Sequence, residues 1–180
     1  MDSSGPSQLY PLLFGRNVNY EVRERIELLQ ENGLIPREFM EYLSLKGLQE
    51  AAMESKEKQT MQGYLALSGE FLKRHPETIY EGNVHVMAAQ ALEKAPGIIE
   101  GQDERLEHEL KAAIGARHKE YLPYQLALGN LANHYSRQGR GEDEKIMREA
   151  ANLHRKRNFD GDPSLHRNGV TDYLKANGAL

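Results

Sequence analysis

The chain has 180 residues, 39% of them hydrophobic and 28% charged, with a mean hydropathy of −0.71. The apolar fraction is too high for a disordered chain, and no run approaches the roughly 18 apolar residues that a membrane-crossing helix needs. The lack of cysteine excludes disulfides, thiolate nucleophiles and zinc ribbons, and a net charge of −4 with an isoelectric point near 6.0 provides no global field for nucleic acid or anionic lipid.

The opening MDSSGPSQLYPLLFG is punctuated by Gly5, Pro6, Pro11 and Gly15 between apolar residues. It predicts a tail over 1–16 that packs on a helical domain over 17–160, and it lacks the basic leader and long apolar run of a cleaved signal. Val22, Ile26 and Leu29 after Asn19, with Gly33 beyond, predict a first helix over 19–32. Pro36 opens a second, with Phe39, Met40, Leu43, Leu48, Ala51 and Ala52 on one face and a break expected at Gly47. Glu54 to Lys58 alternates in sign, as a solvated helix surface does. A third stripe runs through Met61, Tyr64, Leu65, Ser68, Phe71 and Leu72 to His75-Pro76. The fourth helix is expected from Pro76, with Ile79, Val86, Met87 and Ala91 on its apolar face, and stops at Pro96-Gly97. Asp103 caps a fifth, in which Leu106, Leu110, Ala113, Ile114 and Arg117 share a face; a sixth follows Pro123, and a seventh runs from about Glu142 to Arg157. Residues 161–180 read as a capping segment, with Val170, Tyr173 and Leu174 in one or two helical turns. β-Branched residues are sparse and strand-like alternation is missing. The expectation is an all-α fold of about seven antiparallel helices, either a repeat-like stack of helical hairpins or an irregular bundle.

Leu128, Leu131, Ala132, Tyr135 and Gly139, the frame of LANHYSRQG, have the spacing of large ridge residues, a small residue at the helix crossing and a turn glycine. This pattern resembles the first helix and turn of a tetratricopeptide repeat, best over 124–157, with Ile146, Ala150 and Leu153 on the return helix. It departs from that family in a turn through Arg140, Gly141, Glu142 and Asp143 that is about two residues longer, and in having no closing proline before Pro163. The apolar stripe Leu128, Leu131, Tyr135, Ile146, Ala150 and Leu153 is the expected core of this hairpin. A weaker echo stands 64 residues upstream in Tyr64, Leu67, Ser68 and Phe71. The resemblance implies that Asn and basic residues of the first helix face a groove and hold an extended peptide, which carries to Asn133 and Arg137. Asn130, Asn133 and Arg137 also line one polar stripe by spacing alone. The groove would lie beside another first helix, the one bearing Tyr64 and Arg74.

Seven histidines prompt a search for chemistry. Glu104 with His108, and Glu81 with His85, are i, i+4 pairs without a third ligand, and neither the di-iron Glu-x-x-His nor the zincin His-Glu-x-x-His pattern occurs. Phosphate-loop and serine-elbow patterns are missing too, so no catalytic residue, metal or cofactor is expected. Arg148, His154, Arg155, Lys156 and Arg157, with Arg167 beyond, form the clustered positive charge, which complements a helix C-terminus or meets phosphates or an acidic surface. The first reading is a non-catalytic cytoplasmic interaction module or adaptor that binds a peptide or protein through Asn130, Asn133, Arg137, Arg155, Lys156 and Arg157, with no membrane partner. The alternative is a small nucleic-acid-binding or regulatory protein using the basic face at 148–157. A third is a helical enzyme using Glu104 and His108.

Overall fold

The structure is a computed structural model that describes residues 32–33, 36–117, 121–159 and 163–180, without the side chains at 121–122, 156–159 and 163–168. The expected tail and all but the last residue, Asn32, of the first predicted helix over 19–32 therefore lie outside the described residues. The rest is all-α: seven helices and no strand among the described residues. They are α1 (Arg37–Ser55), α2 (Lys58–Arg74), α3 (Glu81–Lys94), α4 (Gln102–Gly115), α5 (Tyr121–Arg137), α6 (Gly141–Phe159) and α7 (Pro163–Ala176). None is long and apolar enough to cross a membrane.

Two compact units are distinguished: the described residues up to Thr78 with Gln90–Gln102, and Ile79–Ala89 with Asp103–Leu180. In the first, Ala52, Met61, Tyr64, Ala91 and Ala95 form a buried cluster, flanked by Leu48, Met53, Leu65, Ile98 and Ile99. Gly47 is buried inside α1 and does not interrupt it, because burial of its neighbours Leu45 and Gln49 holds the helix through the weak residue. The break comes instead at Lys56, which takes a left-handed φ of 52° as the C-cap of α1. The charged run from Glu54 to Lys58 is thus solvated, as expected, but contains a turn. At the far end of the pair, Glu41 of α1 accepts from Arg74 Nη1 at 2.7 Å and lies 2.9 Å from His75 Nε2. Burial alone pushes the Glu41 carboxyl up, but His75, Arg37 and Arg74 hold it below its ordinary value.

α3 begins at Glu81 rather than at Pro76. Thr78 explains the delay: its N–H donates to His75 O at 3.1 Å and its buried hydroxyl donates to Glu38, which keeps 76–80 in turns. Ile79, expected on the apolar face, is consequently among the exposed large side chains.

In the second unit Leu106, Leu110, Ala113 and Ile114 of α4 are buried as their spacing predicts, together with Tyr124, Ala127, Leu128, Leu131 and Ala132 of α5. The segment expected to hold one or two helical turns near the C-terminus is a 14-residue helix, α7, with Pro163 in its first position and Val170 and Leu174 fully buried. Proline suits that position because its missing N–H would have no helical acceptor there.

Candidate functional site

The turn between α5 and α6 is closed by its own backbone bonds. Gly139 adopts φ +71°, and the Arg140 N–H donates to Tyr135 O at 2.9 Å, the six-residue bond of a Schellman helix end. The turn is three residues, Gln138 to Arg140, shorter than expected, because Gly141, Glu142 and Asp143 already belong to α6. Glu142, Asp143 and Glu144 then sit in the first helical turn, where carboxylates meet the positive end of the helix dipole. From α4, Glu107 clamps this turn. It accepts from Tyr135 Oη at 2.9 Å, Arg140 Nη1 at 2.7 Å and Lys111 Nζ at 2.9 Å. The Arg140 guanidinium also lies 4.1 Å from the Tyr135 ring centroid. Burial pushes the Glu107 carboxyl up, yet the bonds from Lys111, Tyr135 and Arg140 outweigh it and bring the pKa down to about 2.

The chain then folds back: Arg148 Nη2 donates to Asn133 Oδ1 at 3.3 Å, and farther from the turn His154 Nδ1 donates to Gln125 Oε1 at 2.8 Å. The inward residues of α6 are Met147, Ala150 and His154, with Ile146 and Leu153 only half-buried. The expected stripe of Ile146, Ala150 and Leu153 is therefore right at Ala150 and rotated by about one residue elsewhere. Hydrophobicity favours Ile and Leu over His, but His154 finds a hydrogen-bond partner inside and packs 4.8 Å from the Tyr124 ring, so its burial is compensated.

With that face inward, Gly141, Glu144, Lys145, Arg148, Glu149 and Asn152 recur at three-and-four spacing and line a concavity of 430 Å³. A short polar network shapes it. Arg148 Nε donates to Glu144 at 2.7 Å, Arg155 Nη2 to Asn152 Oδ1 at 3.2 Å, and the Tyr173 hydroxyl of α7 to Glu149 at 2.8 Å. Hydrogen bonds from Arg148 and Ser136 hold the Glu144 carboxyl below its ordinary value.

Asn133 and Arg155, two of the residues expected to bind a partner, contact residues lining this concavity. Asn130 is half-buried in α5, Arg137 is exposed in its last turn, and the side chains of Lys156, Arg157 and Arg167 lie outside the described residues. The basic run is not one face, since His154 points inward while Arg148 and Arg155 are exposed. Tyr64, expected beside the groove, is 2% exposed and packs with Ala52, Met61, Ala91 and Ala95, and Arg74 is paired with Glu41. Glu144, Lys145, Glu149 and Asn152 were not singled out by the sequence; their common spacing is visible in it, but only the observed rotation of α6 shows that the stripe faces solvent.

Of the histidines, His108 and its neighbour Glu104 are exposed. His85 lies 2.7 Å from the buried Glu109 carboxylate, whose other oxygen accepts from Arg105 at 2.7 Å. Burial pushes the Glu109 carboxyl up, but His85 and Arg105 hold it low. Among the described residues no group of three or more His, Asp or Glu is placed to hold a metal ion. No protein-family model, curated protein or solved structure matches the chain.

Proposed function

We propose that the protein is a non-catalytic, repeat-like helical adaptor whose α5–α6 hairpin binds a peptide or protein partner along the outer face of α6. The observation that carries this reading is the concavity lined by Gly141, Glu144, Lys145, Arg148, Glu149 and Asn152, with Asn133 tied to its edge through Arg148. A helix whose inner residues are fully buried supplies a rigid platform, and fixed polar groups on such a platform recognise a ligand without having to be ordered first. The tetratricopeptide-like spacing of α5, with Ala132 completely buried, supports a hairpin of the kind that displays such faces. Glu144 and Glu149 on the same face oppose a continuous track of phosphates, which favours a peptide over nucleic acid. A cysteine-free sequence suits a reducing cytoplasm.

Selection from an unbiased displayed-peptide library tests the reading. The wild-type chain should enrich a family of sequences, and the combined Lys145→Ala, Arg148→Ala and Asn152→Ala variant, with an unchanged melting temperature, should not retain them. Retention by the variant, or no enrichment by either protein, defeats it.

A further inference from the structure

Three Asn-Gly pairs occur in the chain, at 32–33, 168–169 and 177–178. An asparagine before glycine can consume its own side chain, because the glycine nitrogen, unhindered by a Cβ, attacks the amide carbon and closes a five-membered ring. At 177–178 the structure controls both reacting groups. Gly178 adopts φ +68° just past α7, and the Ala179 N–H donates to Leu174 O at 2.9 Å, which closes this helix as Gly139 closes α5. The attacking group is occupied there, since the Gly178 N–H donates to Lys175 O at 3.1 Å. The leaving group is occupied as well, since Asn177 Nδ2 donates to Tyr173 O at 2.8 Å. The Asn177 N–H also donates to Tyr173 O, at 3.2 Å, so the residue keeps helical bonding, whereas ring closure needs extended backbone at the asparagine. Both residues are nonetheless exposed to water.

We propose that Asn177 is a site of spontaneous deamidation gated by this helix end, protected while the end is closed and reactive when the last turn of α7 opens. The Gly178 nitrogen gives up its proton to base and attacks Asn177 Cγ, the Cγ–Nδ2 bond breaks, and ammonia leaves with a proton. Water then opens the cyclic imide at either carbonyl. In sum, amide and water become carboxylate and ammonium, with aspartate or isoaspartate at 177. The product does not restore the end: it lacks the donor to Tyr173 O and puts a negative charge at the negative end of the helix dipole. Isoaspartate also lengthens the main chain by one carbon, so the Ala179 bond to Leu174 loses its register. Tyr173 donates to Glu149 of α6 and Leu174 is fully buried, so the modification loosens α7 irreversibly from its last turn inward.

Peptide mapping by mass spectrometry of the full chain, held at neutral pH and physiological temperature, follows the one-dalton gain and the isoaspartate at each pair. Asn177 should convert at least about tenfold more slowly in the folded chain than in the same chain unfolded in guanidinium chloride, because two hydrogen bonds must open first. Leu174→Ala, which removes the buried anchor of the last turn, should bring the rate at Asn177 to within about threefold of the unfolded rate. Asn32-Gly33, in the other unit, should react as in wild type. If that variant unfolds throughout, Tyr173→Phe decides: losing one hydrogen bond should raise the rate at Asn177 about two- to fivefold and leave Asn32 unchanged. Equal rates at Asn177 in the folded and unfolded chain, no isoaspartate there in any sample, or no rise in either variant overturns the proposal.

Discussion

The pairs α1–α2 and α5–α6 are built from similar spacing and end in different surroundings. Tyr64, Leu67, Ser68 and Phe71 in α2 match Leu128, Leu131, Ala132 and Tyr135 in α5. Three of the four positions are buried in both, but Leu131 is 0% exposed while Leu67 is 40% exposed. The turns differ as well. Gln138 to Arg140 is closed by a left-handed glycine and gripped from α4 by Glu107, whereas the turn at Lys56 puts a side chain into left-handed backbone, and Glu57 caps α2 without a side-chain hydrogen bond. Sequence spacing therefore identifies a helix and most of its inner stripe, but not how far the stripe is covered or what holds the turn.

The sharpest break in this comparison is Leu131→Ala against Leu67→Ala. The first should cost about 2–5 kcal/mol, as truncation in a closed core does, and the second less than about 0.5 kcal/mol. Denaturant titration of both variants measures the difference; similar losses would mean that the two positions are equally enclosed.

Glu107→Gln should cost about 1–3 kcal/mol, since it weakens charge-assisted bonds to Lys111, Tyr135 and Arg140. The sign of its pH dependence follows from a carboxyl lowered to about 2 in the folded chain against an ordinary value near 4.5. The stabilisation is fully present above the unfolded value and is lost as pH falls from there toward 2. Melting temperature followed between pH 6 and pH 2.5 should fall less steeply in Glu107→Gln than in wild type, and parallel curves would refute the clamp.

The turns themselves should respond with opposite signs. Gly139→Ala places a Cβ on left-handed backbone and should destabilise by about 1 kcal/mol, while Lys56→Gly relieves the same kind of strain and should be neutral or stabilising by up to about 1 kcal/mol. Thermal unfolding of the two variants compares them directly. The smallest effect is expected at Asn133, whose exposed amide holds Arg148 from outside the core: Asn133→Ala should stay within about 0.5 kcal/mol of wild type. A loss of several degrees would make Asn133 a structural residue.

The all-α class, the inner faces of α4 and α5 and the glycine turn at 139 were legible in the sequence, because each depends on local spacing or on one residue's backbone freedom. The end of α2 at His75-Pro76 came where expected, but the break at Gly47 and the start of α3 at Pro76 did not, since burial carried α1 through a glycine and the bonds of Thr78 delayed α3. The candidate site was legible only in part: Asn133 and Arg155 were singled out, but the four residues Glu144, Lys145, Glu149 and Asn152 were not. In GEDEKIMREAANLHRKRNF the apolar Ile146 and Leu153 outrank His154, so hydrophobicity alone turns the helix by about one residue. Tertiary structure decided that rotation, because Gln125 and Tyr124 sit where they satisfy and cover an imidazole that the amino-acid order by itself assigns to a basic surface.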